Sequence, residues 1–378
     1  MSLTIWQIDP ASLTPYYDLA TCDALAQAGA RVRFVTTRFF YDENLVVPGS
    51  FETDYLYFRR LNYRWIRTSP QLRKLTRAMQ YPINHLEVLR QARHRPPDLI
   101  HMQWSRLPGI DRWFLARLKA QGLPIVHTVH NIVQNYNPDA DTQAFAPVYR
   151  LADRLIVHTE ANRQEFQHIY PDIPAERLRI VPMIESGTPG RDRTQQAARA
   201  QLNLPDDAVI VLFFGAIRPY KGLDILLRAW QQIDNPDALL LIAGQLAPGD
   251  PAPDVDRASI RARFGFIPSD SVWAYHMAAD VEVLPYRQIT QSAALITAMG
   301  YGRPVIVSDI GGMPETIDGN GWIVPPEDPG ALADALRDAL SDRQRLTAMG
   351  QQSRAIIDTR HNPQRVAEAH LRIYRELI

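Results

Sequence analysis

The sequence contains a single cysteine, Cys22, and no excess of charge of either sign. One cysteine excludes an internal disulfide and a cysteine-based metal cluster. Cys22 lies between Leu19 and Leu25 in a helix-like pattern, which predicts a buried, inert thiol. Because 41 basic side chains are balanced by 41 acidic ones, the overall charge gives no indication of nucleic-acid binding.

Long hydrophobic runs are also missing. The longest ones, at residues 209–214 and 238–244, are far shorter than the roughly 18 to 20 apolar residues that span a membrane. Residues 1–9 lack a basic region followed by a long apolar one, which indicates a strand and not a signal peptide. We therefore expect a cytoplasmic protein whose chain does not cross a bilayer.

Several catalytic patterns are missing as well. No set of His, Cys and Asp residues has the spacing of metal ligands, and the Gly-x-Ser-x-Gly pattern of a nucleophilic serine does not occur. The sequence therefore predicts no bound metal and no cofactor.

Short apolar runs alternate with helix-patterned segments in both halves of the chain, which is typical of α/β proteins. The first half has predicted strands at residues 4–8, 32–36, 99–102, 125–130, 154–158 and 179–182, with helices such as 16–28 and 112–120. The second half has predicted strands at residues 209–214, 238–243, 263–266, 281–284, 304–307 and 321–324, and helices at 223–232, 270–278, 293–301 and 330–341. Each half is thus expected to form a doubly wound, Rossmann-like parallel sheet.

The chain length of 378 residues is too great for one ordinary core and favours two domains. Residues 185–193 are rich in Gly, Pro, Ser and Thr and have no apolar periodicity, which is typical of a linker. We place the first domain at residues 1–184 and the second at residues 185–360. Residues 361–378 follow as a segment with an apolar helical face.

The most informative stretch follows the apolar run at residues 209–214. Gly215 ends the run, and the cations Arg218 and Lys221 come before a helical pattern that begins at Leu223. Ligands of open α/β sheets bind at the carboxyl ends of strands, and a helix N-terminus offers N–H groups and partial positive charge to an anion. The pattern predicts a phosphate site, with an ordinary surface loop as the alternative.

Further motifs occur in a fixed order along the second half. They are Phe214-Gly215-x2-Arg218-x2-Lys221-Gly222, residues 240–244, Gly265-Phe266-Ile267, residues 279–285, residues 298–306 and Gly311-Gly312-Met313-Pro314-Glu315. In order and spacing this half resembles the retaining glycosyltransferases of family 4, which have the GT-B fold. The first half is similar more loosely, through its strand order, residues 127–131 and the helix start at residues 161–166.

The resemblance implies two facing Rossmann-like domains, with residues 361–378 forming a helix that crosses back to the first domain. The second domain would bind a nucleotide diphosphate sugar, and the first an acceptor whose hydroxyl receives the sugar with its anomeric configuration kept. With no carboxylate nucleophile in the donor loop, it implies front-side displacement in which the departing phosphate takes the acceptor proton. The alternatives are a sugar-nucleotide epimerase of the same fold and a catalytically inactive nucleotide-sugar-binding homologue.

The resemblance also implies which residues bind the donor. Arg218 and Lys221 would contact the donor phosphates and stabilise the negative charge that grows on the leaving group. The other donor-binding candidates lie at strand ends and at a helix start: Gly215, Ile267, Gln288, Thr290, Gln291, Ser292, Ala293 and Thr297. Two glutamates of the family motif are replaced here by Ile289 and Thr297, which leaves their contacts to the sugar and the ribose open. Ser292 is also a candidate helix cap.

In the first half, His130 matches the family position that contacts the donor sugar near its reacting carbon. The candidate catalytic residues are therefore His130, Arg218 and Lys221, with His130 positioning and polarising the sugar, whereas His127 is interpreted as a core residue. The acceptor-side candidates follow strand ends: Asp9, Thr14, Tyr16, Gln103 and Asn131. Asp9 and its loop stand where family members have a glycine pair, which predicts a reshaped acceptor loop.

Positive charge is concentrated between residues 59 and 95, where Glu87 is the single acid. The cations are Arg59, Arg60, Arg64, Arg67, Arg73, Lys74, Arg77, Arg90, Arg93 and Arg95, interleaved with the aromatic residues Tyr63, Trp65 and Tyr81 and preceded by Tyr55, Tyr57 and Phe58. Each cation near an anionic leaflet adds about 1 kcal/mol of attraction. We expect peripheral attachment to the inner face of the cell membrane, a lipid-linked or saccharide acceptor, and a role in cell-surface polysaccharide or glycolipid assembly. A solvated helix face with core aromatics is the alternative, and no nucleic acid is expected as a partner.

Overall fold

The computed structural model describes residues 2–40, 42, 45–133, 138–247 and 249–378. The chain divides into two compact units, Met1–Ser186 with Pro363–Ile378, and Gly187–Asn362. Both divisions fall two residues after the boundaries that we placed from the sequence.

Each unit is built around a sheet whose strands all run parallel. In the described part of the first unit the strands are β1 Thr4–Asp9, β2 Arg31–Thr36, β3 Glu52–Asp54, β4 Leu99–Met102, β5 Ile125–Thr128, β6 Arg154–Val157 and β7 Leu178–Ile180, in the order β3-β2-β1-β4-β5-β6-β7. In the second unit they are β8 Val209–Phe214, β9 Ala238–Gly244, β10 Ile260–Phe264, β11 Val281–Leu284, β12 Val305–Ser308 and β13 Gly321–Val324, in the order β10-β9-β8-β11-β12-β13. The predicted fold class, two doubly wound parallel sheets, is confirmed.

Helices form most of the connections between the strands, as is usual for parallel pairing. The first unit contains α1 Pro15–Gln27, α2 Arg64–Thr68, α3 Pro70–His94, α4 Pro108–Ala120, α5 Pro138–Tyr149, α6 Glu160–Ile169 and the C-terminal α13 Pro363–Arg375. The second unit contains α7 Gln195–Leu202, α8 Leu223–Trp230, α9 Val272–Ala278, α10 Ala293–Gly300, α11 Pro329–Ser341 and α12 Arg343–Ile356, followed by a π-helical turn at Ile357–His361. None of the helices in the described ranges combines the length and apolarity that crossing a bilayer requires.

The apolar runs form central strands because both of their faces are buried. In β8, Val209, Val211 and Phe213 pack into one core of the second unit, whereas Ile210 and Leu212 pack into another. A strand that is buried on both faces has no polar side, so its sequence is a continuous apolar run and not an alternating one.

The strand order determines where the candidate residues lie in each sheet. In the first sheet the direction of chain progression reverses between β1 and β4, and in the second sheet it reverses between β8 and β11. At such a switch point the flanking loops diverge and leave a crevice at the carboxyl ends of the strands, where ligands of doubly wound sheets bind. Asp9 and Gln103 lie at the switch point of the first sheet, and Gly215 and Pro285 lie at that of the second.

The C-terminal helix α13 belongs to the first unit, as expected. It packs on α1, and the Tyr374 hydroxyl lies 2.7 Å from Nδ1 of His101, a fully buried side chain on β4. The chain thus returns to its first unit through a buried hydrogen bond as well as through apolar packing.

The two largest differences from the predicted strands both concern edge strands. β3 is three residues long and was not predicted; it is held beside β2 by Arg33, whose Nη2 donates to Asp54 at 2.5 Å. β10 begins at Ile260, three residues before the predicted start, because its arginines Arg261 and Arg263 are exposed and hide the pattern of a buried strand.

Candidate active site

The phosphate loop predicted after β8 forms a short 3-10 turn at Pro219–Lys221, followed by Gly222 at the start of α8. Gly222 has a φ of 69°, and a Cβ there would lie 2.0 Å from the carbonyl oxygen of Pro285. Only glycine fits this close approach, which brings the start of α8 against the carboxyl end of β11. The loop is therefore anchored at the switch point of the second sheet.

Lys221 extends back over Gly215. Its Nζ would lie 3.3 Å from a Cβ at Gly215 and lies 5.1 Å from the ring centroid of Tyr286. Burial acts to lower the pKa of Lys221, but the neighbouring Tyr286 and Tyr220 outweigh it, and the pKa lies above its usual range. The side chain is therefore an ammonium at neutral pH.

Arg218 is held by backbone carbonyls. Its Nη1 donates to the oxygens of Ile217 at 2.7 Å and of Gln245 at 3.1 Å. Among the described residues, no carboxylate forms an ion pair with Arg218 or with Lys221. Two cations that their own chain does not neutralise thus lie at the carboxyl end of β8, which is the charge arrangement that a diphosphate requires.

Arg287 is a residue that the sequence analysis missed. Its guanidinium donates to both carboxylate oxygens of Asp224, at 2.8 and 2.6 Å, to Glu327 at 3.0 Å and to the carbonyl oxygen of Pro219 at 2.7 Å. Its backbone N–H donates to Tyr220 at 2.7 Å. Hydrogen bonding to Asp224 raises the pKa of Arg287. Arg287 is neutralised, so it fixes the phosphate loop; its position just after β11, at the carboxyl edge, was the available signal.

The loop that precedes α10 carries most of the remaining donor-side candidates. Gln288 is exposed, while Thr290 and Gln291 are half-buried. Gly311 has a φ of 53°, and a Cβ there would lie 2.1 Å from the carbonyl oxygen of Ile289. The backbone of this loop is therefore packed against the loop after β12, which limits the positions that Thr290 and Gln291 reach.

The start of α10 is capped by its own side chain. Ser292 Oγ accepts the N–H of Leu295 at 3.2 Å, which confirms that Ser292 is a helix cap. Ala293 is exposed at the first turn, and the Thr297 hydroxyl donates to its carbonyl oxygen at 3.0 Å. Ile267 packs in one of the two cores of the second unit, so a donor would contact its backbone and not its side chain.

In the first unit, His130 is held on three sides. Its Nε2 lies 2.9 Å from Oε1 of Gln103, the ring of Trp104 stacks on it at 4.8 Å, and Tyr17 meets it edge-on at 4.9 Å. Burial lowers the pKa of His130 well below its usual range, and the neighbouring His158 acts in the same direction. His130 is therefore neutral at physiological pH.

The partner of His130 determines its tautomer. An amide oxygen only accepts hydrogen bonds, so Nε2 of His130 carries the proton and donates to Gln103. Nδ1 then keeps a lone pair and has no hydrogen-bond partner among the described residues. A neutral, rigidly held imidazole of this kind accepts a hydrogen bond from a hydroxyl, which suits positioning and not nucleophilic attack.

Asp9 differs from its predicted role. It is fully buried, and its carboxylate accepts the backbone N–H groups of Ala11 at 2.9 Å and Leu13 at 2.6 Å. Burial raises the pKa of Asp9, and burial together with the Asp9 charge raises that of Asp18. Asp9 therefore does not face an acceptor. Its carboxylate instead holds the loop between β1 and α1 through backbone hydrogen bonds.

The other acceptor-side candidates are engaged within their own unit. The Thr14 hydroxyl donates to Asp18 at 3.1 Å and accepts from Nε1 of Trp104 at 2.9 Å, and the Tyr16 hydroxyl donates to Asp42 at 2.7 Å. Gln103 is buried and contacts His130. Asn131 directly follows His130 after the carboxyl end of β5 and is half-buried. The sequence after His130 is mostly polar at residues 131–137, which predicts a loop; residues 134–137 of it lie outside the described residues.

His127 is a core residue, as interpreted from the sequence. It is buried, its Nδ1 lies 2.9 Å from the carbonyl oxygen of Thr128, and its Nε2 lies 3.0 Å from the Ser105 hydroxyl. Both ring nitrogens are thus used within the unit.

The comparisons with known proteins agree with this architecture. Residues 19–183 match the profile described as Glycosyltransferase Family 4, and residues 208–342 match that described as Glycosyl transferases group 1. The chain is 31% identical over 313 residues to the D-inositol 3-phosphate glycosyltransferase of Saccharomonospora viridis, covering 74% of this chain and 70% of that protein. The chain spans about two thirds of the length of the curated relatives it matches, between 61% and 70%.

Solved structures show the same fold. Sucrose-phosphate synthase from Thermosynechococcus elongatus superposes with a TM-score of 0.76 at 23% identity, covering 99% of both chains. Anabaena HepE in complex with UDP-glucose superposes with a TM-score of 0.74 at 16% identity, covering 99% of this chain and 100% of that one. The fold is the GT-B fold, and by its sequence and its fold the chain belongs to the family 4 glycosyltransferases.

Proposed function

We propose that the protein transfers a sugar from a nucleoside diphosphate sugar to an acceptor hydroxyl and keeps the anomeric configuration. The observation that carries this proposal is the pair of cations at the switch point of the second sheet, Arg218 and Lys221, which no described carboxylate neutralises. An uncompensated pair of cations is costly to hold together, and a diphosphate relieves that cost.

The chemistry follows from charge development. When the bond between sugar and phosphate breaks, negative charge grows on the departing diphosphate, so fixed cations stabilise the transition state more than the ground state. Arg287 holds the phosphate loop in place through Pro219 and Tyr220, so the cations are positioned before the donor arrives. Preorganised charge of this kind is the principal contribution we assign to the second unit.

His130 supplies positioning from the first unit. Its Nδ1 lone pair accepts a hydrogen bond from a hydroxyl of the donor sugar. Gln103 and Trp104 hold the imidazole ring in position. The donor loop presents Ile289 and Thr297 in place of the family's two glutamates and so offers no nucleophilic carboxylate at those positions. This favours front-side displacement, in which the departing phosphate takes the acceptor proton.

For the acceptor, we propose a sugar hydroxyl presented at a membrane, in cell-surface polysaccharide or glycolipid assembly. The curated relatives are named for D-inositol 3-phosphate, a phosphorylated acceptor. In this chain the N–H groups of the loop after β1 are already occupied by the carboxylate of Asp9. A second anion at that loop would be repelled, so the acceptor portion that lies there is uncharged.

A thermal-shift series tests the donor site. A ligand present at 100 times its dissociation constant stabilises the folded state by about 2.7 kcal/mol. We expect one of UDP, GDP or ADP, with its sugar derivatives, to stabilise the protein, and the matching nucleoside without phosphates to stabilise it far less. Equal stabilisation by a nucleoside and its diphosphate, or no stabilisation by any of them, would contradict a phosphate site at Arg218 and Lys221.

A further inference from the structure

We propose that the exposed face of α3 lies on an anionic lipid bilayer. This face, the α3 stripe, consists of large apolar side chains at intervals of three or four residues: Leu72, Leu75, Met79, Ile83 and Leu86. Residues at that spacing share one side of a helix. Leu75, Met79 and Ile83 are 57%, 56% and 59% exposed, which is unusual for such side chains in a row.

The α3 stripe is separate from the core face of the same helix. Tyr81, His85, Val88 and Ala92 are buried, and at 100° per residue they lie on the opposite side of α3 from the stripe. The helix is therefore apolar on two sides, and packing within the first unit uses one of them. The α3 stripe therefore does not contribute to the core of the first unit and is available to a binding partner.

The first part of α3 stands away from the core. Between residues 70 and 80 no side chain is buried, and the first buried residue of the helix is Tyr81. The neighbouring helix α2 packs beside α3 and exposes Trp65, while Tyr63 just before it is also exposed. Tryptophan and tyrosine are the side chains that favour the headgroup layer of a membrane.

The structure divides the aromatic residues that the sequence analysis had grouped together. Tyr57, Phe58 and Tyr81 are buried in the core of the first unit and are not available to a membrane, which corrects that part of the expectation. Tyr63 and Trp65 are 60% and 64% exposed. The membrane surface is thus smaller than the sequence indicated, but it gains the aliphatic α3 stripe.

Charge identifies the occupant of this face. At 100° per residue, the exposed cations Arg90 and Arg93 lie on the same side of α3 as the stripe. The single acid of the segment, Glu87, is paired with Arg90 at 2.7 Å. A second copy of the chain would bring the same cations together in a symmetric contact, which repels. An anionic leaflet attracts them, and each cation near it strengthens binding about fivefold. Interfacial helices combine these features: an apolar face flanked by Lys and Arg.

This inference deepens the proposed function, because a membrane-presented acceptor needs an enzyme that reaches the membrane. The two are tested separately, since vesicle binding needs no donor and turnover of a water-soluble acceptor needs no vesicle. If vesicle binding is not observed, turnover can still be measured, and if turnover is not observed, vesicle binding can still be measured.

Vesicle sedimentation tests the stripe. We expect the protein to sediment with vesicles of phosphatidylglycerol and phosphatidylcholine, and not with phosphatidylcholine alone. The variant Leu75→Gln/Met79→Gln/Ile83→Gln should bind at least tenfold more weakly, and Arg90→Gln/Arg93→Gln about twenty-fivefold more weakly. The substituted side chains make no core contacts, so folding is retained. Matched controls on other exposed positions, Leu107→Gln/Ile180→Gln/Ile323→Gln and Arg365→Gln/Arg372→Gln, should bind like the parent.

A fluorescent label tests which side of α3 enters the bilayer. Cys22 is fully buried, so Met79→Cys provides one reactive thiol on the stripe, and Ala78→Cys provides one about 100° away on the same helix. An environment-sensitive probe at position 79 should shift to the blue with anionic vesicles, and a probe at position 78 should shift much less. Equal shifts at both positions, a shift that depends on protein concentration without vesicles, or full recovery in the supernatant would each overturn the proposal.

Discussion

Replacing Lys221 by Met should reduce turnover by tenfold to a hundredfold or more and should weaken nucleoside diphosphate binding as well. The Nζ of Lys221 is a charged donor at the phosphate loop, and a charge-assisted hydrogen bond contributes roughly 1.5 to 3 kcal/mol. Met keeps the apolar stem that packs near Gly215 and Tyr286, so the change removes charge with little loss of packing. Arg218→Ala should have an effect of similar size for the same reason.

The matched control is Arg337→Ala on α11. Arg337 is exposed and is paired with Asp334 on its own helix, so its loss removes a cation from the second unit without touching the phosphate loop or its partners. Lys221→Arg keeps the charge and should lose less activity than Lys221→Met. Steady-state kinetics and titration calorimetry with the diphosphate measure both effects, and unchanged affinity and rate in Lys221→Met would refute the phosphate site.

Replacing His130 by Ala should lower turnover by about tenfold to a hundredfold while leaving nucleoside diphosphate affinity nearly unchanged. The proposed contact is to the donor sugar, and one hydrogen bond to a group that gains charge in the transition state is worth about 1.5 to 3 kcal/mol. The diphosphate site lies on the second unit, whereas His130 lies on the first, so the two readouts separate catalysis from donor binding.

His168→Ala serves as the control for His130, because His168 is an exposed histidine on α6 of the same unit. It should leave both turnover and affinity unchanged. If His130→Ala weakened diphosphate binding as much as turnover, His130 would have a structural role and would not position the donor sugar. His130→Gln, which retains a hydrogen-bonding group, should recover part of the lost turnover.

Much of the fold was predictable because its strands are central in their sheets. β4, β8 and β11 have the predicted bounds and β12 nearly so, since a parallel strand buried on both faces is a short apolar run between turn signals. β3 was not predicted because the three residues Glu52–Asp54 contain no apolar side chain. It exists through pairing with β2, and long-range pairing leaves no local signal in the sequence.

The helix α3 shows a second reason for failure. Its N-terminal half is apolar on the side that the core does not use, so its periodicity indicates a helix but does not identify which face is buried. Sequence reasoning attributed the surface to aromatic residues, whereas the structure buries Tyr57, Phe58 and Tyr81 and exposes the aliphatic α3 stripe. Which face of a helix is buried depends on the elements packed against it. The sequence pattern of the helix alone does not identify those elements.

The site divides in the same way. Gly215, Arg218 and Lys221 were predictable because a strand, a turn and a helix start follow one another along the chain. Arg287 binds Asp224, which is 63 residues away in the sequence, and Asp9 binds backbone N–H groups of the loop that follows it. Both roles depend on the folded conformation of these loops. Motifs therefore identified the groups that we propose to bind the phosphates, and the structure identified the groups that hold their loops in place.

The central claim is glycosyl transfer, and acceptor-dependent release of nucleoside diphosphate measures it most directly. The donor found by thermal shift is incubated with a lipid-linked saccharide, with D-inositol 3-phosphate, or with no acceptor, and the released diphosphate and the anomeric configuration of the product are measured by NMR. We predict release with the lipid-linked saccharide and a product that keeps the donor's configuration. Turnover without acceptor would indicate an epimerase or a hydrolase, and donor binding without turnover would indicate an inactive homologue; either result would contradict the account.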